Sequence, residues 1–322
     1  MSAWSSNLVS VIAVSCNDHQ RQLKDLLESL ERQAYPQVER IVVLNNYSPE
    51  LIVNLKKDYP KFQFLSNKQN LLFCPAQNQG IGLSHGEFVL CLNDDLILDE
   101  GFLAAMVKAA KSDPRIGMVS GCILRQDRET VDSTGLFLAK SRKPLERGYG
   151  QNLRMRFRKP EYVFGVGGAA AFFRRNMLEE IKLESDYFDE DYGIFYEDLD
   201  ICWRAQNRNW RGYYTPAALA YHKRGGTVRQ VRPRPAFLGN YNFACLSRGL
   251  KLGLIKNRYR TIIKNDSLKS FLLNLPWFLG YELRLWLYLI LFEPILAWLI
   301  WRDLSFLSSA WQKRKIIRAH FA

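Results

Sequence analysis

The chain has 322 residues, 48% of them apolar, which is enough to build a core; the composition therefore excludes a wholly disordered chain, and the length allows one large or two ordinary domains. Its net charge of +13 is uneven: the segment 223–322 carries 18 basic and 4 acidic residues, a net of +14, against 27 and 28 in the remainder. A near-neutral body followed by a basic region predicts contact with phosphates, on lipid headgroups, nucleic acid or a phosphorylated substrate.

Strand-like and helix-like segments alternate through the first half of the chain. Apolar runs predict strands at 9–15, 40–46, 62–67 and 87–95, and the segments that follow them predict helices at 22–33, 51–59, 74–86 and 101–113. In the first helix Leu23, Leu26, Leu27 and Leu30 have the spacing of one apolar face. This order predicts an α/β fold with a doubly wound, largely parallel sheet.

Polar side chains follow these predicted strands where each strand ends. They are Asn17, Asn45, Asn46, Asn93, Asp94 and Asp95. Ligands of doubly wound sheets bind outside the carboxyl ends of the strands. The adjacent carboxylates of Asp94 and Asp95 repel each other and are costly to desolvate unless a cation lies beside them. We therefore expect a ligand site with a cation at this edge; the alternative for this acidic pair is a helix N-cap or a turn.

Cysteine usage and the amino terminus indicate the compartment. The six cysteines are Cys16, Cys74, Cys91, Cys122, Cys202 and Cys245. They form no CxxC pair and have mostly apolar neighbours, which predicts reduced, buried thiols in a cytosolic protein. The first residues contain no basic segment before the short apolar run 8–14, so we expect no signal peptide. The basic, glycine-containing segment 140–160 is predicted to be a mobile loop.

Five motifs resemble, in order, those of the inverting GT-A glycosyltransferases of family 2, and most closely the rhamnosyltransferase-like branch. They are SVIAVSCND (10–18), IVVLNNYSPE (41–50), GEFVLCLNDD (86–95), FDEDYGIFYEDLDICWRA (188–205) and NWRGYYTPAALAYHKRGGT (209–227). The resemblance covers roughly the first 230 residues. It implies a GT-A (Rossmann-like) catalytic domain over residues 1–228. The charge and the apolar runs of the remaining residues predict a C-terminal basic amphipathic helical region over 229–322 that associates with membranes.

The resemblance also implies a metal-dependent site for a nucleotide-sugar donor, with UDP or dTDP as the nucleotide. By resemblance Asp95 binds the metal, Asp94 lies beside the ribose or the metal, and His222 completes the metal site. The alternative for His222 is a structural histidine. A divalent ion neutralises the charge of the diphosphate. Oxygen ligands suit Mg²⁺ or Mn²⁺, and an imidazole ligand favours Mn²⁺.

The acidic pair Glu197–Asp198 resembles the family's catalytic pair. By resemblance Asp198 is the general base that takes the proton of the acceptor hydroxyl, and the like charge of Glu197 raises its pKa. The implied mechanism is a single displacement that inverts the anomeric configuration. The alternative is an acidic helix N-terminus that interacts with the helix dipole. The spacing of Asp200 and Arg204 predicts a helix-surface ion pair.

The remaining site residues are likewise implied by the resemblance. The donor residues are Asn17, Asn45, Asn78, Asn93, Asp94 and Asp95, and the acceptor residues are Gly167, Gly168 and Trp210. Core packing is the alternative for the glycines and for the tryptophan. The family usually has Asp at the position of Asn45; since Asn both donates and accepts hydrogen bonds, we expect an altered nucleotide preference.

The segment 271–301 is the most apolar part of the chain. Glu282 and Arg284 interrupt it before any uncharged run reaches the roughly 20 residues that span a bilayer. Its tryptophans and basic flanks are typical of an interfacial segment. We expect monotopic helices on the anionic cytoplasmic face of the inner membrane. The alternative is a helical subdomain packed on the catalytic body or on the partner of a homodimer.

These features predict a sugar transferase with a lipid-linked saccharide acceptor in cell-surface polysaccharide synthesis. The first expected donor is dTDP-rhamnose, and UDP-N-acetylhexosamine, UDP-galactose and UDP-glucose are alternatives. An alternative of another class is a catalytically inactive membrane-bound scaffold with the same fold. A nucleic-acid-binding protein is disfavoured, because long aliphatic runs separate the basic clusters.

Overall fold

The structure of the chain, a computed structural model, describes residues 4–153, 156–223 and 246–319. They form two compact units. The α/β unit comprises the described residues up to 137, then 146–193 and 197–223; the helical unit comprises 138–145, 194–196 and the described chain after 223. The predicted boundary between residues 228 and 229 falls outside the described residues and stays a prediction.

The α/β unit contains most of the strands. The strands are β1 (Ser5–Cys16), β2 (Val38–Asn45), β3 (Gln63–Asn67), β4 (Gly86–Asn93), β5 (Leu96–Leu98), β6 (Ile116–Arg125), β7 (Val131–Ser133), β8 (Leu136–Leu138), β9 (Pro144–Glu146), β10 (Glu161–Val163), β11 (Ala170–Arg174) and β12 (Arg211–His222). The helices of this unit are α1 (Gln20–Glu31), α2 (Pro49–Asp58), α3 (Phe73–Leu83), α4 (Phe102–Lys111), α5 (Arg175–Ile181) and α6 (Glu197–Asn207). All eight elements predicted in the first half are confirmed.

A ten-stranded sheet organises the α/β unit. Its main path runs β10-β12-β6-β11-β4-β1-β2-β3, with β5 added to β12 and β7 to β6. Six of the eight strands on this path point one way, and only β10 and β11 oppose them. The mixed α/β fold with a mostly parallel sheet is therefore confirmed. The carboxyl ends of β1, β2, β4 and β12 consequently meet at one edge of the sheet. We call it the site edge.

Apolar side chains of the central strands pack against α1 and α4 to form the main core. The four leucines predicted on one face of α1 are all buried there. Of the five cysteines in the described residues, four are buried and Cys16 is half-buried, and none of these five is in a disulfide. Cys245 lies outside the described residues.

The segment 140–160 contains β9, which pairs with β8 in a two-stranded ribbon.

The ion pair of Asp200 and Arg204 is buried, so its predicted position on the helix surface is wrong. Arg204 Nε donates to Asp200 Oδ2 at 3.0 Å, and the two side chains are 2% and 1% exposed. The guanidinium also donates to the carbonyl oxygens of Ile181 and Tyr187. The four-residue spacing on α6 places the two side chains side by side. Their burial follows from the packing of α6 inside the α/β unit.

We expect Arg204→Met to lower the free energy of unfolding by about 3–5 kcal/mol, because it leaves the carboxylate of Asp200 buried without its charge partner. Arg211→Met is the matched control. Arg211 pairs with Asp113 at 3.3 Å and is 56% exposed, so its loss should cost less than about 1 kcal/mol. Urea unfolding of both variants measures the difference, and equal losses would contradict the prediction.

The helical unit contains five helices in its described part. They are α7 (Arg248–Asn265), α8 (Leu268–Leu273), α9 (Leu275–Phe292), α10 (Pro294–Arg302) and α11 (Ser305–Ala319). Buried ion pairs hold it together: Arg258 donates to Glu282 Oε1 at 2.8 Å, and Arg142 donates to Asp266 Oδ2 at 2.6 Å. By length and composition alone, α9 is the one described helix that could cross a membrane, and only 17% of it is buried.

Candidate active site

Asp95 and His222 come together through strand pairing. Asp95 lies in the turn between β4 and β5, and β5 pairs antiparallel with the end of β12, so that Leu96 lies opposite His222. Asp95 Oδ1 is 3.0 Å from His222 Nε2. Because α4 begins only at Phe102, with Gly101 as its N-cap, the acidic pair does not cap this helix. The other alternative, a turn, describes the backbone of both acids.

The other ring nitrogen of His222 faces a third acidic residue. Its Nδ1 lies 2.7 Å from Oδ2 of Asp132, which is 2% exposed and lies on β7. Burial would lower the pKa of His222, but the hydrogen bonds and charges of Asp132 and Asp95 outweigh it and raise this pKa to about 9. The imidazole is therefore held in a fixed orientation between two carboxylates.

This arrangement fits a divalent ion with two ligands from the protein. Adjacent ligands of an octahedral ion at roughly 2.1 Å lie about 3 Å apart, which is the separation of Asp95 Oδ1 and His222 Nε2. Asp132 then orients the imidazole from behind, as carboxylates commonly do for metal-bound histidines. Within the described residues no group of three His, Cys, Asp or Glu side chains surrounds one point. A donor diphosphate and water would complete such a shell.

In the absence of a metal, His222 should make stability depend on pH. Its pKa is raised on folding from 6.5 to about 9, so its contribution is complete below pH 6.5 and is lost as the pH rises through 9. Comparison with His222→Gln in EDTA should show that the wild-type chain loses about 3 kcal/mol more over this range. Mn²⁺ should bind more tightly as the pH rises towards 9, because it displaces a proton. Identical pH profiles of the two proteins would contradict this prediction.

Asp94 faces away from this pair, towards the end of β1. Its Oδ2 accepts a hydrogen bond from Ser15 Oγ at 2.5 Å, and its Oδ1 lies 3.1 Å from His19 Nδ1. Ser15 Oγ is also 2.9 Å from the hydroxyl of Tyr47. The structure therefore gives the two neighbouring carboxylates separate partners, a histidine and a hydroxyl for Asp94 and His222 for Asp95.

Asp198 is the second residue of α6 and lies beside the glycine-containing loop 165–168. The Gly168 N–H donates to its Oδ2 at 3.2 Å, and the Leu199 N–H donates to its Oδ1 at 2.7 Å. Burial raises the pKa of Asp198, and these backbone donors oppose the rise. Burial is thus the largest cause of this rise, whereas the sequence suggested the charge of Glu197. Two backbone donors hold the carboxylate of Asp198 in place, with Glu197 buried next to it.

The loop glycines have different surroundings. A Cβ on Gly165 would lie 2.6 Å from Cys202 Sγ, so close packing requires glycine there. A Cβ on Gly167 would come 3.0 Å from Glu146 Oε1, and one on Gly168 would meet Glu197 Oε1 at an ordinary 3.4 Å. The packing alternative therefore accounts for Gly165, and Gly167 and Gly168 stay candidates for acceptor binding.

Asn45 lies at the end of β2 within a network of neutral amides. It is 1% exposed, its Nδ2 donates to Asn70 Oδ1 at 3.3 Å, and its Oδ1 accepts from Asn67 Nδ2 at 3.0 Å. Asn67 in turn donates to Gln79 Oε1 at 2.8 Å. The network provides donors and acceptors without a formal charge at the position where the family usually has Asp.

Two predicted site residues make structural contacts elsewhere. Asn78 pairs through its side-chain amide with the backbone of Phe188, at 2.8 Å as donor and 2.9 Å as acceptor. Trp210 precedes β12, at the opposite end of that strand from His222, and its indole N–H donates to Glu180 at 2.8 Å. Asn17 and Asn93 lie at the site edge, at the ends of β1 and β4.

Sequence reasoning missed Ser15, His19 and Asp132. Ser15 and His19 lie at and just after the end of the first predicted strand. Their position in the sequence could therefore have predicted them at the site edge. Asp132 carries no such signal: it reaches His222 only because β7 folds back on β6 and β6 pairs with β12.

The fold is a GT-A fold, an α/β architecture with a mostly parallel sheet, and its acidic and amide side chains lie at the carboxyl ends of the strands. The sequence profile of Glycosyl transferase family 2 matches residues 10–182, more than half of the chain. The chain therefore belongs to glycosyl transferase family 2.

Curated relatives resemble the chain at low sequence identity. The chain is 22% identical over 218 residues to a poly-beta-1,6-N-acetyl-D-glucosamine synthase of Staphylococcus epidermidis and 23% identical to one of Staphylococcus aureus strain COL. Each match covers 65% of this chain, which spans about half (48%) of the length of these relatives. The rhamnosyltransferase-like branch is not among these relatives.

Two solved structures share the fold at 15% sequence identity. GalNAc-T7 with UDP, GalNAc and Mn²⁺ superposes with a TM-score of 0.59, covering 80% of this chain and 48% of that one. The mannosyltransferase PcManGT from Pyrobaculum calidifontis, in complex with GDP-Man and Mn²⁺, gives 0.53, with coverages of 97% and 85%.

Proposed function

We propose that the chain is a metal-dependent inverting glycosyltransferase that moves a sugar from a nucleotide-sugar donor to a saccharide hydroxyl. The observation that carries this proposal is the array of Asp95, His222 and Asp132 at the same sheet edge as the asparagines that end β2 and β4. Asp95 and His222 would hold Mn²⁺ or Mg²⁺, which when bound neutralises the donor diphosphate.

Asp198 acts as the general base in this proposal. Its carboxylate takes the proton of the acceptor hydroxyl as the oxygen attacks the anomeric carbon from the face opposite the diphosphate. The Gly168 N–H fixes the orientation of the accepting oxygen. A pKa raised by burial makes Asp198 a better proton acceptor than an ordinary aspartate. A single displacement needs no covalent intermediate.

For the donor, we propose UDP-N-acetylhexosamine first and dTDP-rhamnose second. The curated relatives, poly-beta-1,6-N-acetyl-D-glucosamine synthases, support the first. The YEDLDICWRA motif, which resembles the rhamnosyltransferase-like branch, supports the second. UDP-galactose and UDP-glucose are further candidates.

Thermal unfolding of the detergent-purified chain with UDP, dTDP, GDP or CDP, with and without Mn²⁺, tests the donor class. A ligand that binds the native state raises the apparent stability by mass action. We expect a Mn²⁺-dependent increase with UDP or dTDP that is absent in Asp95→Ala. No increase with any of the four nucleotides would favour the inactive scaffold.

We also propose that the helical region associates with the cytoplasmic face of a membrane. On α9, Leu279, Leu283, Leu287 and Leu291 are 48–65% exposed at four-residue spacing, which places them in one apolar stripe. At the exposed surface Arg302 lies 4.9 Å from the ring of Trp298, a pairing suited to the headgroup region. A lipid-linked saccharide acceptor would be reached from this location.

Flotation with vesicles that contain anionic lipid tests this association. We expect Leu283→Asp/Leu287→Asp to reduce the bound fraction strongly, because each change places a charge in the apolar stripe. Val53→Asp, a change at a 64% exposed valine on α2, is the matched control and should bind as the wild type does. Equal binding of all three proteins would contradict the proposal.

A further inference from the structure

A basic cavity of about 550 Å³ lies in the α/β unit, at the start of β10. Its lining includes four cations and two aromatic rings. They are Arg147, Arg156, Arg158 and Lys159, with Phe137 and Phe157. We call this cavity the basic pocket.

Arg147 forms a fixed wall of the basic pocket. It is 8% exposed, donates to Thr134 Oγ1 at 2.7 Å, and stacks on the rings of Phe157 and Tyr214 at 4.6 and 5.1 Å. Its charge is balanced by an ion pair with Glu161, the acidic residue of the lining. Arg147 therefore shapes the basic pocket but adds little net charge to it.

The other three cations are not balanced. Arg156, Arg158 and Lys159 are exposed, and across the described ranges no carboxylate lies within ion-pair distance of any of them. Three positive charges at one concave surface attract anions more strongly than the same charges on a flat face, since the cavity walls focus the field. Phe137, which is 47% exposed, adds an apolar surface at the same cavity.

The basic pocket adjoins the acceptor side of the proposed active site. The Gly168 N–H donates to Asp198. The preceding residue, Gly167, lies so close to Glu146 that a Cβ added to Gly167 would be 3.0 Å from Glu146 Oε1. Glu146 immediately precedes Arg147 in the wall of the basic pocket. Gly168, Gly167, Glu146 and Arg147 thus connect the base with the basic pocket.

We propose that the basic pocket binds a phosphate or diphosphate group carried by the acceptor. This inference rests on the proposed function and extends it by stating the acceptor's chemical class, an anionic saccharide carrier. Arg156 and Arg158 provide forked donors for phosphate oxygens, and Lys159 adds a point charge. Such a group is found on a lipid diphosphate or on a phosphorylated glycan, and either would be anchored here while a sugar hydroxyl reaches Asp198.

The first test measures the binding of inorganic pyrophosphate to the full chain by titration calorimetry. EDTA is present, so that metal-dependent binding at Asp95 does not contribute, and Asp95→Ala should bind as the wild type does. We expect Arg156→Gln/Arg158→Gln to weaken binding about a hundredfold, roughly tenfold for each charge-assisted contact. The matched control, Lys56→Gln/Lys57→Gln on the exposed end of α2, removes the same charge and should change binding less than about twofold.

Equal affinities of the wild-type chain and the Arg156→Gln/Arg158→Gln variant would overturn the proposal, as would equal weakening by the α2 control. Farnesyl diphosphate and N-acetylglucosamine 1-phosphate then distinguish the sources. Tighter binding of the first than of pyrophosphate would assign a lipid diphosphate, and tighter binding of the second would assign a phosphorylated saccharide; both support the proposal.

A kinetic readout separates this inference from the proposed transferase activity. With an acceptor that carries phosphate, the double variant should raise KM at least about tenfold with little change in kcat, because the pocket positions no reacting atom. If pyrophosphate binding depends on Arg156 and Arg158 but no sugar is transferred by the wild type, the basic pocket stands and the transferase proposal fails. If transfer occurs with the same KM in both proteins, the inference fails and the transferase proposal stands.

Discussion

Asp198→Asn should lower kcat by about a hundredfold to ten-thousandfold, the range that general base catalysis contributes. Asn keeps the shape of the side chain but cannot take a proton, and its single amide oxygen can accept a hydrogen bond from the Gly168 N–H or from the Leu199 N–H, not from both. Donor binding should change little, so the effect should appear in kcat and kcat/KM together. Sugar transfer from radiolabelled donor, measured over a range of acceptor concentrations, determines both constants.

The same substitution should change the free energy of unfolding little, because the loss of one backbone hydrogen bond is offset by the loss of a buried charge. Burial raises the pKa of Asp198 in the folded state, so the ionised carboxylate is disfavoured there above this pKa, and a neutral Asn removes that cost at pH 7. Lost activity with unchanged or higher thermal stability would therefore be chemical in origin. Asp191→Asn, at an exposed position six residues before α6, is the matched control. Near-wild-type turnover of Asp198→Asn would contradict the base assignment.

The first half of the fold could be predicted because its signals are local. Each strand there is a short apolar run, each helix has its own apolar spacing, and parallel order follows from their alternation. The ends of β1, β2 and β4 could then be placed at one edge from order alone. The approach of Asp94 to Ser15 follows from the same rule, since β1 and β4 are neighbours.

The rest depends on pairings between distant segments, which periodicity does not encode. The short strand β5 and its pairing with β12 bring His222 to Asp95, and β11 enters the sheet antiparallel between β4 and β6. The use of Asn78 as a clamp on the backbone of Phe188 is a contact across 110 residues. Local spacing gave the Asp200–Arg204 pair but not its burial, because burial is a property of the whole unit.

Asp95→Ala should lower metal-dependent turnover by about a thousandfold or more, since charge stabilisation by a bound ion contributes several kcal/mol to the transition state. The loss should include Mn²⁺-dependent nucleotide binding, because His222 alone is a poor site for a hard cation. Asp132→Asn should have a smaller effect, about 10–100-fold in metal affinity, since it removes only the group that orients His222.

Asp99→Ala changes an exposed carboxylate four residues after Asp95 and is the matched control; it should leave turnover and Mn²⁺-dependent nucleotide binding unchanged. Mn²⁺ titrations with UDP or dTDP, followed by turnover at saturating metal, give this order of effects directly. Full turnover of Asp95→Ala in EDTA would remove the metal from the mechanism and leave His222 as a structural histidine held between two carboxylates.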